Sequence, residues 1–523
     1  MSLFKSLFYY YKFIAHNKKV FAFNRKKLKK NVILCELHNH SSSHIPLSYF
    51  LNFLSNKLNC SIVGYSIFSR NYLLKRIVWF IYKNLNLTFF GIFRSLNVTS
   101  FFFSNPDSSQ KKRALKIFDK IKKSILIKSD IVKLKINNIL VGDLIYDEYL
   151  RLNKIPTINL NDKKFYDFLK YTIELYVFWE DYFLSNKIKA IFVSHCVYLN
   201  GIPLRLAINK KIPSYQVTYQ SVYKLDKKNI FAYKEYLTYK KVFKSLSLKE
   251  KIKAIFLGSQ LLKKKLSGKL FLDSSVSTKS GYHRSVLKCR ILKKSSRIKV
   301  LVLTHCFFDS PHSYGKNLFP DFYEWLNFIG EISIKTKYDW YIKLHPDYIK
   351  GTKEIILNFL SKYRNITFIP PNVSHHQIID EGINFILTVY GTAGSEYPFF
   401  KIPVINASAN NPHIMYNFNF HPKSVNEYKR LLLNLENIYL NYNKEQIYQY
   451  YYMKNIYYWH NWLGIDYRNL IKKLKSYYKQ FTPSMYQLWI NRFTVKNHKK
   501  IFGVVENFIS SNDYILNRKH LIK

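Results

Sequence analysis

Carboxylates are the scarcest chemistry in this chain. Its 523 residues hold 32 Asp and Glu against 83 Lys and Arg, a formal charge of +51. A surface so short of anions carries a strong positive potential, which leaves nucleic acid, anionic lipid and phosphorylated substrates as the partner classes. Part of the excess is compositional, since Lys, Asn, Ile, Tyr and Phe are all abundant. Cysteine is equally thin. Cys35, Cys60, Cys196, Cys289 and Cys306 are scattered and odd in number, and no C-x-x-C spacing occurs. That suggests neither a disulfide framework nor a zinc site, and fits a reducing compartment. Long apolar runs are missing too. The most apolar region, Ile77 to Phe103, is broken by Lys83, Asn84, Asn86 and Arg94, so it lacks the about 20 clean residues of a membrane span. The opening MSLFKSLFYYYKFIAHNKK is interrupted by Lys5 and Lys12 and has no small-residue cleavage site, unlike a signal peptide. The expectation is a cytoplasmic protein able to lie peripherally on the inner membrane, with its aromatic, basic first segment as one candidate contact. Zinc-finger spacing, a stacking motif and a clustered basic arm are also absent, which argues against nucleic acid.

What is present is an alternation of apolar runs and helical periodicity. In the first half the strands are Val32–Leu37, Ser61–Tyr65, Val98–Phe103, Ala190–Ser194 and Ser214–Thr218, and the clearest helices are Leu47–Leu58, Lys112–Lys123 and Phe165–Leu184. A polar, basic stretch from Ser274 to Arg297 reads as a linker. A second series follows: strands Ile298–Thr304, Trp340–Leu344, Ile366–Ile369, Phe385–Val389 and Pro403–Asn406, with helices near Phe322–Ile334, Lys353–Lys362, His375–Glu381 and Ala393–Phe400. Strands separated by helix-length segments imply crossovers and parallel sheets. The predicted class is α/β, two Rossmann-like domains with a helical C-terminal extension. The expected boundaries are 1–273 for the first domain, 274–297 for the linker, 298–424 for the second domain and 425–523 for the extension.

In such sheets ligands sit beyond the carboxyl ends of strands. Three clusters stand there in the second domain: His305 after IKVLVLT; Lys343, Leu344, His345 and Pro346 closing WYIKLHP; and Tyr390-Gly-Thr-Ala-Gly-Ser-Glu396 after FILTV. Proline at 346 confines His345 to extended backbone, which presents its imidazole rigidly. Lys343 faces either the cleft or solvent. Gly391 and Gly394 allow a tight turn and close backbone approach to a ligand. Thr392 and Ser395 add hydroxyls where a helix starts, and free amides at such a start favour a phosphate.

KLHPD together with TVYGTAGSEYPFFKIPVI resembles the His-Pro and small-hydroxyl-glutamate segments of the capsular polysaccharide biosynthesis glycosyltransferases, a GT-B group that includes bacterial Kdo transferases. The resemblance covers Ile298 to about Asn406 well and the first half in outline. It implies two Rossmann-like domains and a nucleotide-activated sugar donor held by the second. On that carry-over His345, Thr392 and Ser395 contact donor phosphate, and Glu396 holds the ribose or orients the turn. The related sialyltransferase pattern has an acidic-acidic-glycine motif in the first domain. Here those letters are Asp380-Glu381-Gly382, in the second domain, where they read as a helix end with a glycine stop.

The acceptor side rests on the first domain. Cys35-Glu-Leu-His-Asn-His-Ser-Ser-Ser-His44 reads as one loop after the first strand, Val193-Ser-His195 ends another strand ahead of Arg205, and Asp143 follows the apolar run Ile139–Val141. Glu36, His38, His40, Asp143 and His195 are the candidate bases, because a histidine or carboxylate has a suitable range of pKa. H-x-H invites a metal, but the further ligands of a barrel hydrolase are not supplied by two tandem sheets, so no metal and no cofactor is expected. The expected partners are a nucleotide-sugar donor, a polysaccharide or lipid-linked glycan acceptor and an anionic membrane surface. The expected activity is glycosyl transfer in surface-polysaccharide synthesis. A CDP-glycerol-type polyol-phosphate transferase, a nucleotide-sugar 2-epimerase, and a non-catalytic nucleic-acid-binding or membrane-associated assembly protein are the alternatives.

Overall fold

The structure is a computed structural model that describes residues 3–21, 30–67, 73–85, 88–269, 279–283, 287–346, 348–458, 461–464, 466–474 and 477–521. Two compact units divide the chain. The first comprises Met1–Ile145, Leu160–Ala232 and His460–Lys523, and the second Tyr146–Asn159 and Tyr233–Trp459.

The sheet of the first unit contains β1 (Asn31–Glu36), β2 (Ser61–Ile67), β3 (Val98–Ser104), β4 (Lys187–Val193), β5 (Ser214–Val217) and β6 (Val222–Leu225) in the order β3-β2-β1-β4-β5-β6. The first five run parallel and β6 is antiparallel to β5. β1 is buried throughout its last five residues, as expected of a central strand covered on both faces. The helix Ser41–Lys57 begins six residues earlier than the sequence predicts, in spite of Pro46. Its start is closed by Ser43 and His44 amides donating to the His40 carbonyl. Ser41, Ser42, Ser43 and His44 are therefore buried helix residues, not part of a polar loop.

The second unit is built on β7 (Lys299–Leu303), β8 (Asp339–Lys343), β9 (Ile366–Ile369), β10 (Phe385–Thr388) and β11 (Val404–Asn406), all parallel, in the order β9-β8-β7-β10-β11. Two α/β units with central parallel strands are thus present. Their boundaries differ from the predicted 1–273, 298–424 and 425–523, and packing explains why. Helix Leu248–Leu266, opened by a Ser247/Glu250 capping box, lies against Glu445–Tyr452. Tyr236, Tyr239 and Leu262 share a core with Tyr450, Tyr451 and Met453, so residues 233–266 and 425–458 belong to the second unit. Tyr146–Asn159 joins it through Tyr146, whose hydroxyl donates to Asp321, and through Asp147, 2.6 Å from His312 Nδ1. Asp321 in turn caps helix Phe322–Ile334, accepting from the Tyr323 and Glu324 amides. The last segment returns to the first unit: Tyr486 stacks on Phe13 at 4.2 Å, and Trp489 meets Tyr49 edge-on. Of the predicted linker 274–297, residues 274–278 and 284–286 lie outside the described residues.

The contact between Leu248–Leu266 and Glu445–Tyr452 leaves no room at Gly258, where a Cβ would lie 2.0 Å from the Tyr448 carbonyl oxygen. Backbone cannot swing away as a flexible side chain would. Gly258→Ala should therefore lower stability by about 1–3 kcal/mol through overpacking, read as a lower urea midpoint at unchanged slope. An unchanged midpoint would mean that the two helices are not locked in this way.

Candidate active site

In the second unit the strand order reverses between β7 and β10, so the carboxyl ends of these neighbours form the switch point where open α/β sheets bind ligands. His305 follows β7 there. Val389 donates its N–H to His305 Nε2 at 3.3 Å, and the Thr388 hydroxyl lies 3.1 Å from the same nitrogen. With Nε2 accepting, the neutral ring carries its proton on Nδ1. Burial, reinforced by His345, lowers the His305 pKa to about 4, so the ring is a neutral donor at pH 7.

His345 is exposed beyond β8. Lys343, two residues earlier, faces neither the cleft nor solvent: it is fully buried, and its Nζ donates to the Pro371 carbonyl at 2.9 Å. Desolvation lowers its pKa to about 8, which leaves it mostly cationic at neutral pH. Buried His375, at the start of the helix after β9, has Nδ1 2.5 Å from the Tyr397 hydroxyl. Burial and then Lys343 push its pKa well down. One sheet edge thus gathers His305, Lys343, His345 and His375.

The turn after β10 is built differently from the expected phosphate cradle. Neither Gly391 nor Gly394 has positive φ. Their hydrogens are needed for close packing within the protein. A Cβ on Gly391 would lie 2.8 Å from Thr388 Oγ1, and one on Gly394 would lie 2.6 Å from the His413 ring. Ser395 is buried, and its hydroxyl donates to the Thr392 carbonyl at 3.0 Å, whereas Thr392 is exposed. Glu396 is buried and sits 2.9 Å from Lys265 Nζ. Burial alone would raise its pKa, but Lys265 and neighbouring hydroxyls hold it below the ordinary carboxylate range. Lys265, Thr392, Ser395, Tyr451, Lys454 and Asn455 line a small cleft beside the turn. Lys265 and Lys454 carry no sequence signal, because one stands in a run of helical lysines and the other in a tyrosine-rich helical segment, both remote from any strand end. Asp380-Glu381-Gly382 ends a helix, with Gly382 left-handed at φ 89°. The Glu381 carboxylate accepts from the Ile291 and Leu292 amides.

The corresponding switch point of the first unit lies between β1 and β4. Glu36 is buried at the end of β1 and accepts from Ser194 N–H at 2.6 Å, Ser194 Oγ at 3.0 Å and Asn200 Nδ2 at 2.7 Å. Burial raises its pKa despite these bonds. It fixes the turn that carries His195. His195 is exposed, and its ring centroid lies 5.9 Å from that of half-buried His40. His38 and His44 stack at 4.9 Å. His44 Nε2 must donate to the His38 carbonyl at 2.9 Å, so its Nδ1 accepts from the Tyr486 hydroxyl at 2.7 Å. Desolvation lowers both imidazoles, His44 to about 3. Asp143 is buried in a 2.7 Å ion pair with Arg205. The exposed ring at this edge is His195, with the half-buried rings of His38 and His40 beside it. Among the described residues no group of three or more His, Cys, Asp or Glu side chains is placed to hold a metal ion.

No family model matches the chain, and no curated protein matches it. Similar solved structures include the UDP-GlcNAc 2-epimerase from Neisseria meningitidis bound to UDP-GlcNAc, at 11% identity over 80% of this chain and 97% of that one, with a TM-score of 0.23. A glycosyltransferase from Rickettsia africae gives 12% identity, 88% and 99% coverage and a TM-score of 0.22. Acinetobacter baumannii MurG gives 8%, 91% and 99%, and 0.18. At these scores the likeness decides neither a family nor a ligand.

The Glu396–Lys265 pair yields a signed prediction. The carboxyl titrates near 4.3 in an unfolded chain and lower in the folded one. Its stabilisation is therefore complete above the unfolded value and is lost as pH falls through the folded value. Lys265→Met should cost about 3–5 kcal/mol at pH 7 by stranding a buried carboxylate. The gap to the parent should narrow as denaturation is repeated toward pH 4. A gap independent of pH would show that the pair is not the cause.

Proposed function

We propose that the protein is a glycosyltransferase of the GT-B type, which takes a sugar from a nucleotide-activated donor held by the second unit and passes it to a polysaccharide or lipid-linked glycan. One observation carries this reading: the gathering of His305, Lys343, His345 and His375 at one sheet edge, where the nearby carboxylate Glu396 is already neutralised by Lys265. Such an edge suits a diphosphate. The Nδ1–H of His305 and the exposed ring of His345 would donate to phosphate oxygens, and Lys343 would add a fixed positive field from beneath.

The reaction is displacement at the anomeric carbon. The acceptor oxygen forms the new bond, the bond from carbon to the phosphate oxygen breaks, and the nucleotide leaves with the electron pair. Donors aimed at that oxygen count because its charge grows in the transition state. Protein groups supply that stabilisation, so the reading calls for no metal or cofactor. A histidine of the first unit, His195 or His40, takes the acceptor proton. The acceptor belongs to capsule-type surface polysaccharide, and the enzyme works in the cytoplasm at the inner membrane face. No helix among the described residues is long and apolar enough to cross a membrane.

A thermal-shift panel of CMP, CDP, UDP and GDP tests the donor site, since a ligand at a hundredfold excess over Kd adds about 2.7 kcal/mol of stability. At least one nucleotide should raise the melting temperature. His345→Ala should weaken that nucleotide at least about tenfold while leaving the fold intact, because a lost hydrogen bond to a charged group is worth about 1.5–3 kcal/mol. Equal affinity in parent and variant would remove His345 from the site. Formation of an epimerised sugar nucleotide or a polyol-phosphate product would replace glycosyl transfer by one of its rivals.

A further inference from the structure

Helix Leu73–Asn84 of the first unit carries a face left exposed among the described residues. Trp79 packs inward on Phe89, Phe90 and Phe103, with ring centroids 5.2, 5.6 and 5.1 Å away. The other side shows Ile77, Phe80, Ile81 and Leu85, exposed by 54, 63, 46 and 63%. Their spacing of i, i+3, i+4 and i+8 makes one continuous stripe. A second set, Leu7, Phe8 and Tyr11, is exposed on helix Leu3–Val20. Both helices pack on the same short helix, Thr88–Ser95, so the two apolar faces belong to one region of the unit.

Charge identifies the occupant. Residues 1–106 contain fifteen Lys and Arg and a single carboxylate, Glu36, which is buried and committed to Ser194 and Asn200. Neither of the two helices contains an acidic residue. A contiguous apolar stripe on a surface is a docking feature rather than an ordinary solvated face. An apolar stripe on a stretch of chain whose charges are basic apart from buried Glu36 matches a bilayer with anionic headgroups: the rings and branched chains enter the acyl boundary while the lysines meet the phosphates. Nucleic acid would satisfy the charge but would leave Ile77, Phe80 and Ile81 without a partner.

We infer that helix Leu73–Asn84, assisted by Leu3–Val20, is the element by which this protein docks on an anionic lipid surface. The inference gives the membrane contact of the proposed function a place in the fold, and its test needs no nucleotide. Lipid docking can therefore fail while donor binding stands, and the reverse.

Sedimentation of the full-length protein with phosphatidylcholine vesicles, with and without phosphatidylglycerol, is the test. The protein should partition onto the anionic vesicles and much less onto the neutral ones. Phe80→Ser combined with Ile81→Ser replaces two exposed side chains. The folded double variant, checked by circular dichroism, should lose about tenfold or more of the partition, and Lys83→Glu should weaken it further. Should the double variant fail to fold, Phe80→Trp takes its place, with a blue shift of tryptophan emission expected on adding anionic vesicles. Unchanged partition of the double variant, no blue shift, equal binding to both lipids, or binding to mixed oligonucleotides in place of vesicles would each overturn the inference.

Discussion

Six carboxylates of this protein, five buried and one half-buried, are committed to holding it together. Glu36 binds the turn after β4, Asp143 pairs with Arg205, and Asp147 with His312. Asp321 caps a helix and accepts from Tyr146, Glu381 binds two amides of the strand-leading segment, and Glu396 is held by Lys265. Each of these groups satisfies buried donors that would otherwise cost free energy. With 32 carboxylates against 83 basic residues, every carboxylate committed inside widens the excess of cations left outside. Both proposed ligand classes, a diphosphate and an anionic headgroup, follow from that shortage.

Much of the architecture was legible from periodicity. Helix Phe322–Ile334 and strand Ile366–Ile369 match the expected bounds residue for residue, and the other strands differ by one to three residues at an end, because apolar runs fully covered on both faces leave a clear sequence signal. β6 was missed, as an antiparallel edge strand of four residues has little pattern to show. The unit boundaries were missed for another reason. Residues 233–266 and the described part of 466–521 are largely helical with no distinctive composition, and only tertiary contacts, such as Tyr486 on Phe13 or Gly258 against Tyr448, decide which sheet they serve.

The candidate site shows the same limit at finer grain. Strand ends located His305 and His345 in one sheet and His195 in the other, because topology alone brings residues to the carboxyl edge of their own sheet. Side-chain direction was not readable. Lys343 goes down into the core, and the glycines of the 391–396 turn serve contacts with Thr388 and His413. His375, with Lys343 beside it, and Lys265, with Glu396, became visible only when burial and distance were known.

The central claim is that the basic edge of the second unit binds phosphate. Isothermal calorimetry on UDP, CDP and GDP beside uridine, cytidine and guanosine tests it most directly. The account predicts that the preferred diphosphate binds at least about tenfold tighter than its nucleoside, a difference of about 1.4 kcal/mol, and that the advantage shrinks as salt screens the charges. A nucleoside that binds as tightly as its diphosphate, or a preference indifferent to salt and to His345→Ala, would contradict it.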